Sequence, residues 1–201
     1  MNTGTHQTPP SVLLLDGESI RDTSSACLYR ISRSVTTLRT TTKKLLYNVR
    51  TTHPADAQYR TDIPAYYITC VDPETLGNIH IETSKPRLQK TEFTAILSRD
   101  RTASHKPLFN EPGQLSTLFT ARPTSWRSSH YAWTDSEGNQ VAVEDTDGEY
   151  RKLAISMPMP QETRDALVAV WLLRLWYETA ESKQAKREGS LDRLPIVLKV
   201  S

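Results

Sequence analysis

Cysteine is nearly absent: Cys27 and Cys70 are the only two in 201 residues. Two are too few for a disulfide framework and lack the spacing of metal ligands, so a reducing compartment is the simpler setting. Glycine is also scarce, at seven, and scattered glycines can hardly build a Walker loop or a dinucleotide fingerprint. Neither sign of charge dominates, with 25 Lys+Arg against 23 Asp+Glu, so net charge makes no case for nucleic acid as a partner. The five histidines, His6, His53, His80, His105 and His130, show no paired metal spacing, and none adjoins a nucleophile motif. No stretch approaches the roughly 20 apolar residues of a membrane-spanning helix. Met1–Pro10 has no basic residue, and Val12–Leu15 is too short an apolar run for a secretory signal. These absences predict a soluble, cytoplasmic chain with no cofactor, no metal and no catalytic residue to assign, and they lean away from an enzyme.

The chain is instead rich in short segments of β-branched and aromatic residues separated by turn residues. The candidates are Val12–Leu15, Cys27–Ile31, Val35–Arg39, Leu45–Val49, Ala65–Val71, Asn78–Glu82, Glu92–Ser98, Leu115–Thr120, His130–Thr134, Gln140–Glu144 and Tyr150–Ile155. Their regular spacing points to a barrel or sandwich and not to βαβ units. In Asn78-Ile79-His80-Ile81-Glu82 the isoleucines alternate with polar residues, as a half-buried strand requires. Trp133, the turn Asp135–Asn139 and the strand Gln140–Val143 read as an antiparallel hairpin, and Asp145–Gly148 turns the chain again into a meander.

Pro158 and Pro160 close this β region, and Glu162 and Asp165 put negative charge in the first turns of a helix. Within it Ala166–Leu173 is apolar at eight successive positions. At 3.6 residues per turn such a run covers the whole circumference, so the helix has no wettable face and must be surrounded. The expected core residues on it are Leu167, Val170, Trp171, Leu172, Leu175 and Trp176. After Tyr177 the helix turns polar, and Gly189 is a terminator. The fold class is therefore mainly β with one long helix (α+β): an antiparallel barrel of about 10–12 short strands enclosing a C-terminal hydrophobic helix. Residues 1–10 read as a disordered lead-in, 11–188 as a single domain with its helix at about 161–188, and 189–201 as a tail. Pro195–Leu198 in that tail is either a docked strand or a loose end.

Three features carry a family resemblance: Cys27–Ile31 followed by Val35–Leu38, Trp133 with Asn139–Val143, and the closing helix from Asp165 to Glu178. In this order they resemble the tubby C-terminal-like fold, the superfamily of tubby proteins, phospholipid scramblases and plant LURP-one-related proteins. The order looks most like a fungal group with this fold, a domain of unknown function (DUF6593). The resemblance covers roughly residues 12–185 and implies a fold, not one shared activity. Tubby proteins bind phosphoinositide head groups through basic residues. That motif has no residue-by-residue match here, so no site is carried over.

Between Leu28 and Arg60 there are seven basic residues and one acid, Asp56. Arg30, Arg33, Arg39, Lys43 and Lys44 are the candidate anion- or lipid-binding residues, with Lys43 and Lys44 at a strand-to-strand turn beside Thr40, Thr41 and Thr42. The bland reading of the same residues is a solvated strand face with lysines guarding an edge. An acidic run at 135–149 is explained by two hairpin turns. Cys70 reads as a small buried hydrophobe. The expectation for function is a non-enzymatic binding module that meets anionic phospholipid or a protein partner through the basic strand surface, peripherally at membranes. The alternatives are an interaction or structural protein with no lipid role and a hydrolase whose site is assembled from distant residues.

Overall fold

The computed structural model describes residues 7–32, 37–42, 44–51, 64–85, 90–125, 130–145 and 150–180. Twelve strands run in chain order: β2 (Ser11–Asp16), β3 (Ser19–Asp22), β4 (Cys27–Ile31), β5 (Thr37–Thr40), β6 (Leu45–Thr51), β7 (Tyr66–Cys70), β8 (Gly77–Ser84), β9 (Glu92–Arg99), β10 (Ser116–Pro123), β11 (Tyr131–Asp135), β12 (Gln140–Asp145) and β13 (Arg151–Ile155). Each pairs antiparallel with the next, and β13 returns to β2, so the meander closes into a barrel. Outside it, β1 (Gln7–Thr8) pairs with β14 (Met159–Pro160) at the start of α1 (Gln161–Ala180). Gln7 and Thr8 lie in the stretch read as a disordered lead-in. They belong to the fold because the Thr8 hydroxyl donates to the Met159 carbonyl at 2.8 Å.

Most expected strands recur within a residue or two. Two differences have local causes. Ser19–Asp22 carries a single large apolar residue, Ile20, too little for a strand signal, yet it pairs on both sides. The expected helix extends to 188, but the described helix ends at Ala180, and 181–188 and the tail lie outside the described residues.

Alternation builds the interior. Leu13, Leu15, Ile20, Tyr29, Ile31, Leu38, Tyr47, Val49, Ile68, Ile79, Phe93, Ala95, Leu97, Phe119, Ala121, Trp133, Ala142, Leu153 and Ile155 are buried. Their neighbours Arg21, Arg30, Arg39, Arg50, Glu82, Arg122 and Lys152 are half-buried or exposed on the outside. Twelve strands spaced about 4.8 Å apart and tilted about 40° close at a radius of about 12 Å, whereas a helix with its side chains needs about 5–6 Å. The remainder accommodates one layer of strand side chains. Bulges at Ile20/Arg21, Leu38/Arg39, Thr117/Phe119 and Trp133/Thr134 supply local bends.

The helix fills that lumen. Every residue from Ala166 to Leu173 is at most 2% exposed, Leu175 is 8% exposed, and Trp176 is half-buried against the core. Each large apolar side chain among them contributes on the order of 2 kcal/mol by leaving water. Polar contacts fix the entry: Tyr29 Oη donates to Asp165 Oδ1 at 2.7 Å, Gln161 Nε2 to the same oxygen at 2.6 Å, and Arg164 Nη2 to Ser11 Oγ at 2.9 Å. Tyr177 stacks edge-on against Tyr66 and Phe93 near the other end. The rod thus enters at the end holding the turns after β3, β5, β7, β9 and β11, and leaves at the opposite end. No helix among the described residues is long and apolar enough to cross a membrane.

Leu172→Asp places a carboxylate with no partner in this interior. It should cost on the order of 4 kcal/mol or more, read as a lowered urea midpoint or loss of the folded species. An unchanged midpoint would contradict the enclosed helix.

Candidate functional site

Three polar assemblies stand out from this scaffold. The deepest lies inside the barrel. Arg174, which follows the apolar run, is fully buried and ion-paired through Nη2 with Glu144 on β12, itself fully buried. Its guanidinium lies over the Tyr131 ring at 4.3 Å and near the Phe93 ring at 5.7 Å, so cation–π contact adds to the pair. It also approaches Glu178 Oε2 at 3.5 Å, one helical turn on. Burial pushes the Glu144 carboxyl above its ordinary value, while the charge of Arg174 and its hydrogen bond act in the opposite direction. The sequence reading put Glu144 among the acidic turn residues at 135–149. The structure corrects this: the bulge at Trp133/Thr134 turns Ala142 and Glu144 inward opposite Trp133 and Tyr131. Asp135 does serve a turn, its Oδ1 accepting from the Glu137 and Asn139 backbone amides at 2.9 and 2.8 Å. An arginine inside an otherwise oily helix was the signal that a carboxylate must wait for it in the barrel wall.

The second assembly is a cavity of about 340 Å³ at the helix entry. The ends of β5 and β6, the turn after β7 and the first turns of α1 line it with Thr40, Lys44, Asp72, Glu74, Thr75, Gln161, Glu162 and Asp165. Lys44 Nζ lies 2.5 Å from Asp72 Oδ2 and 2.5 Å from Glu74 Oε2. The hydrogen bond from Lys44 and its charge hold the Glu74 carboxyl below its usual value. Asp165 goes the other way: burial raises it, against hydrogen bonds from Tyr29 and Gln161. With four carboxylates around one ammonium, this mouth is no anion site.

That changes the membership of the basic surface. Lys44 has its charge matched by Asp72 and Glu74. Lys43 and Arg33 lie outside the described residues. Arg30 and Arg39 are direct register partners on β4 and β5. Both point outward, since their neighbours Tyr29, Ile31 and Leu38 face the core. Arg50 is exposed on the adjoining β6. Arg21, on β3, is paired with Asp16 at 3.0 Å.

The third assembly covers the outside of β7–β9. Residues 100–115 lie against that face, and Asn78 Nδ2 donates to the Thr102 and Leu108 carbonyls at 3.1 and 2.7 Å. Asn78 Oδ1 accepts from the Cys70 amide at 2.9 Å. Gly77 beside it admits no side chain: φ is +134°, and a Cβ would sit 2.4 Å from the Ser98 carbonyl oxygen. Cys70 is buried, and burial raises its thiol pKa, as suits a packing residue more than a nucleophile. Among the described residues no group of three or more His, Cys, Asp and Glu could hold a metal ion.

Fold and site together define a closed twelve-stranded antiparallel barrel threaded by its own C-terminal helix. No family model, no curated protein and no solved structure matches the chain.

Arg174→Met leaves Glu144 ionisable, buried and without its cation, and should cost about 3–5 kcal/mol in urea unfolding. Adding Glu144→Leu to that variant should restore most of the loss, because the pair is replaced by oil of similar volume. Equal, additive costs for the two substitutions would show that the pair is not coupled.

Proposed function

We propose that the chain is a non-enzymatic binding module in which the barrel is a rigid scaffold and the outer face around Arg30 and Arg39 meets anionic phospholipid or an acidic protein surface. The observation that carries this reading is the direct pairing of Arg30 with Arg39 across β4 and β5. Two guanidinium forks set side by side on one outer face match phosphate and carboxylate oxygens. Arg50 is a further exposed arginine on β6, five residues along the strand from Leu45, the register partner of Arg39.

In this reading the protein is cytoplasmic and attracted peripherally to anionic membranes. The expected kinship with the tubby C-terminal-like fold, and with DUF6593 within it, is part of the same proposal. It is supported by the closed antiparallel barrel and the late, enclosed helix. The family's lipid-binding motif is not, so the arginine face stands on its own geometry. An interaction protein with no lipid role is the competing account.

Sedimentation with vesicles of phosphatidylserine and phosphatidylcholine tests it. Wild type should bind at low salt and release as salt rises. Arg30→Glu/Arg39→Glu should weaken binding by at least about tenfold, at about 1 kcal/mol for each basic residue near the surface. Lys44→Gln, which alters a charge already matched, should retain binding. Equal sedimentation of wild type and the double arginine variant would overturn the assignment, and no binding by wild type would leave the interaction protein as the account.

A further inference from the structure

The segment 100–115 covers part of the outer wall, held there by hydrogen bonds, among them those from Asn78 to the Thr102 and Leu108 carbonyls, and by one buried apolar side chain. The Ala103 amide donates to the Cys70 carbonyl at 2.9 Å and the Asn110 amide to Ser98 Oγ at 3.1 Å. Arg101 Nε donates to Asn110 Oδ1 at 2.5 Å within the segment. Its one buried apolar anchor is Phe109, packed edge-to-face on His80 at 5.2 Å and on Tyr67 at 5.7 Å. The anchor therefore rests on an ionisable ring.

We propose that this segment is an acid-released strap, in which protonation of His80 lifts Phe109 and bares the outer face of β7–β9.

His80 is 7% exposed, and its Nδ1 is buried with no hydrogen-bond partner. A neutral imidazole can leave that nitrogen as a lone pair, at modest cost. An imidazolium cannot, since both ring nitrogens then carry protons that need acceptors. The groups facing the ring are few. Tyr67 is its register partner on β7 and Ile96 on β9. Glu82, two residues along β8, reaches Nε2 at 3.7 Å with a side chain that is 68% exposed, so solvent weakens its pull. The strap itself carries Arg101, His105 and Lys106. Burial accordingly holds the His80 value below the ordinary 6.5, with Glu82 opposing. A lowered value in the closed state means the closed state binds the proton less well than the open one. The strap is then fully held above pH 6.5 and loses its hold as pH falls through and below that value. What it uncovers is aromatic: Tyr67 together with the released Phe109.

Amide hydrogen exchange of the whole chain at about pH 7.5 and about pH 5.5, corrected for intrinsic rates, reads this directly. Protection of the Ala103 and Asn110 amides should fall at the lower pH by up to about tenfold for each unit below the histidine value, the slope of an opening that takes up one proton. Amides in β12 and α1 should not change. His80→Gln, which cannot titrate, should abolish the pH dependence whatever its absolute protection. Unchanged protection of wild type between the two values would overturn the proposal, as would the same acid loss in His80→Gln. The His80 ring resonances give a second reading without substitution. Their titration should move together with the Asn110 amide shift, and a ring that titrates while Asn110 stays fixed would also refute the strap.

Discussion

The structure depends on one constraint: eight successive apolar residues wound into a helix leave no side for water. Ala166–Leu173 can satisfy it only by being enclosed from every direction. A layer of helices could cover such a rod, but this chain offers strands, and a sheet covers a rod on all sides only by closing. Closure fixes much else. It removes sheet edges, which otherwise invite pairing with other chains. It also sets the lumen width, so that Phe93, Phe119, Trp133 and Tyr47 fill the gap between wall and helix.

Hydrophobic enclosure does not choose a rotation or a depth for the rod, because oil against oil is nearly indifferent to sliding. Polar contacts near both ends make the choice. At entry, Tyr29, Gln161 and Asp165 form one hydrogen-bonded group, and Arg164 reaches Ser11. Deeper, Arg174 finds Glu144. A buried ion pair gains little net stability after desolvation, but any rotation or shift of the helix strands two charges in a dry interior. The pair works as a register pin, as a single polar residue does in a coiled coil.

Much of the architecture was legible in the residues because it rests on local patterns. The alternation in Asn78–Glu82, the hairpin around Gly138 and the uninterrupted apolar run each state their environment within a few residues. What was not legible depends on partners far apart in sequence or on a break in phase. Lys44 looked like part of a basic patch because Asp72 and Glu74, which match its charge, are about thirty residues away and come close only when β6 and β7 pair. Glu144 looked like a turn residue because a bulge flips the phase of β12, and bulges leave little trace in composition. Ser19–Asp22 is too short and polar to announce a strand. Arg30 and Arg39 were visible as basic residues, but only the register showed that they face each other.

The closing seam joins β13 to β2, with Leu153 beside Leu13 across some 140 positions of chain, and the rod they surround comes later still. During synthesis the strands therefore emerge with their oily inner faces lacking the helix they will surround until α1 has been made. Native contacts of this kind make folding slow and leave intermediates that are prone to associate. Truncation before α1 would keep all twelve strands but remove the rod that fills the space between them. The architecture thus ties burial of the strands' inner faces to the arrival of α1.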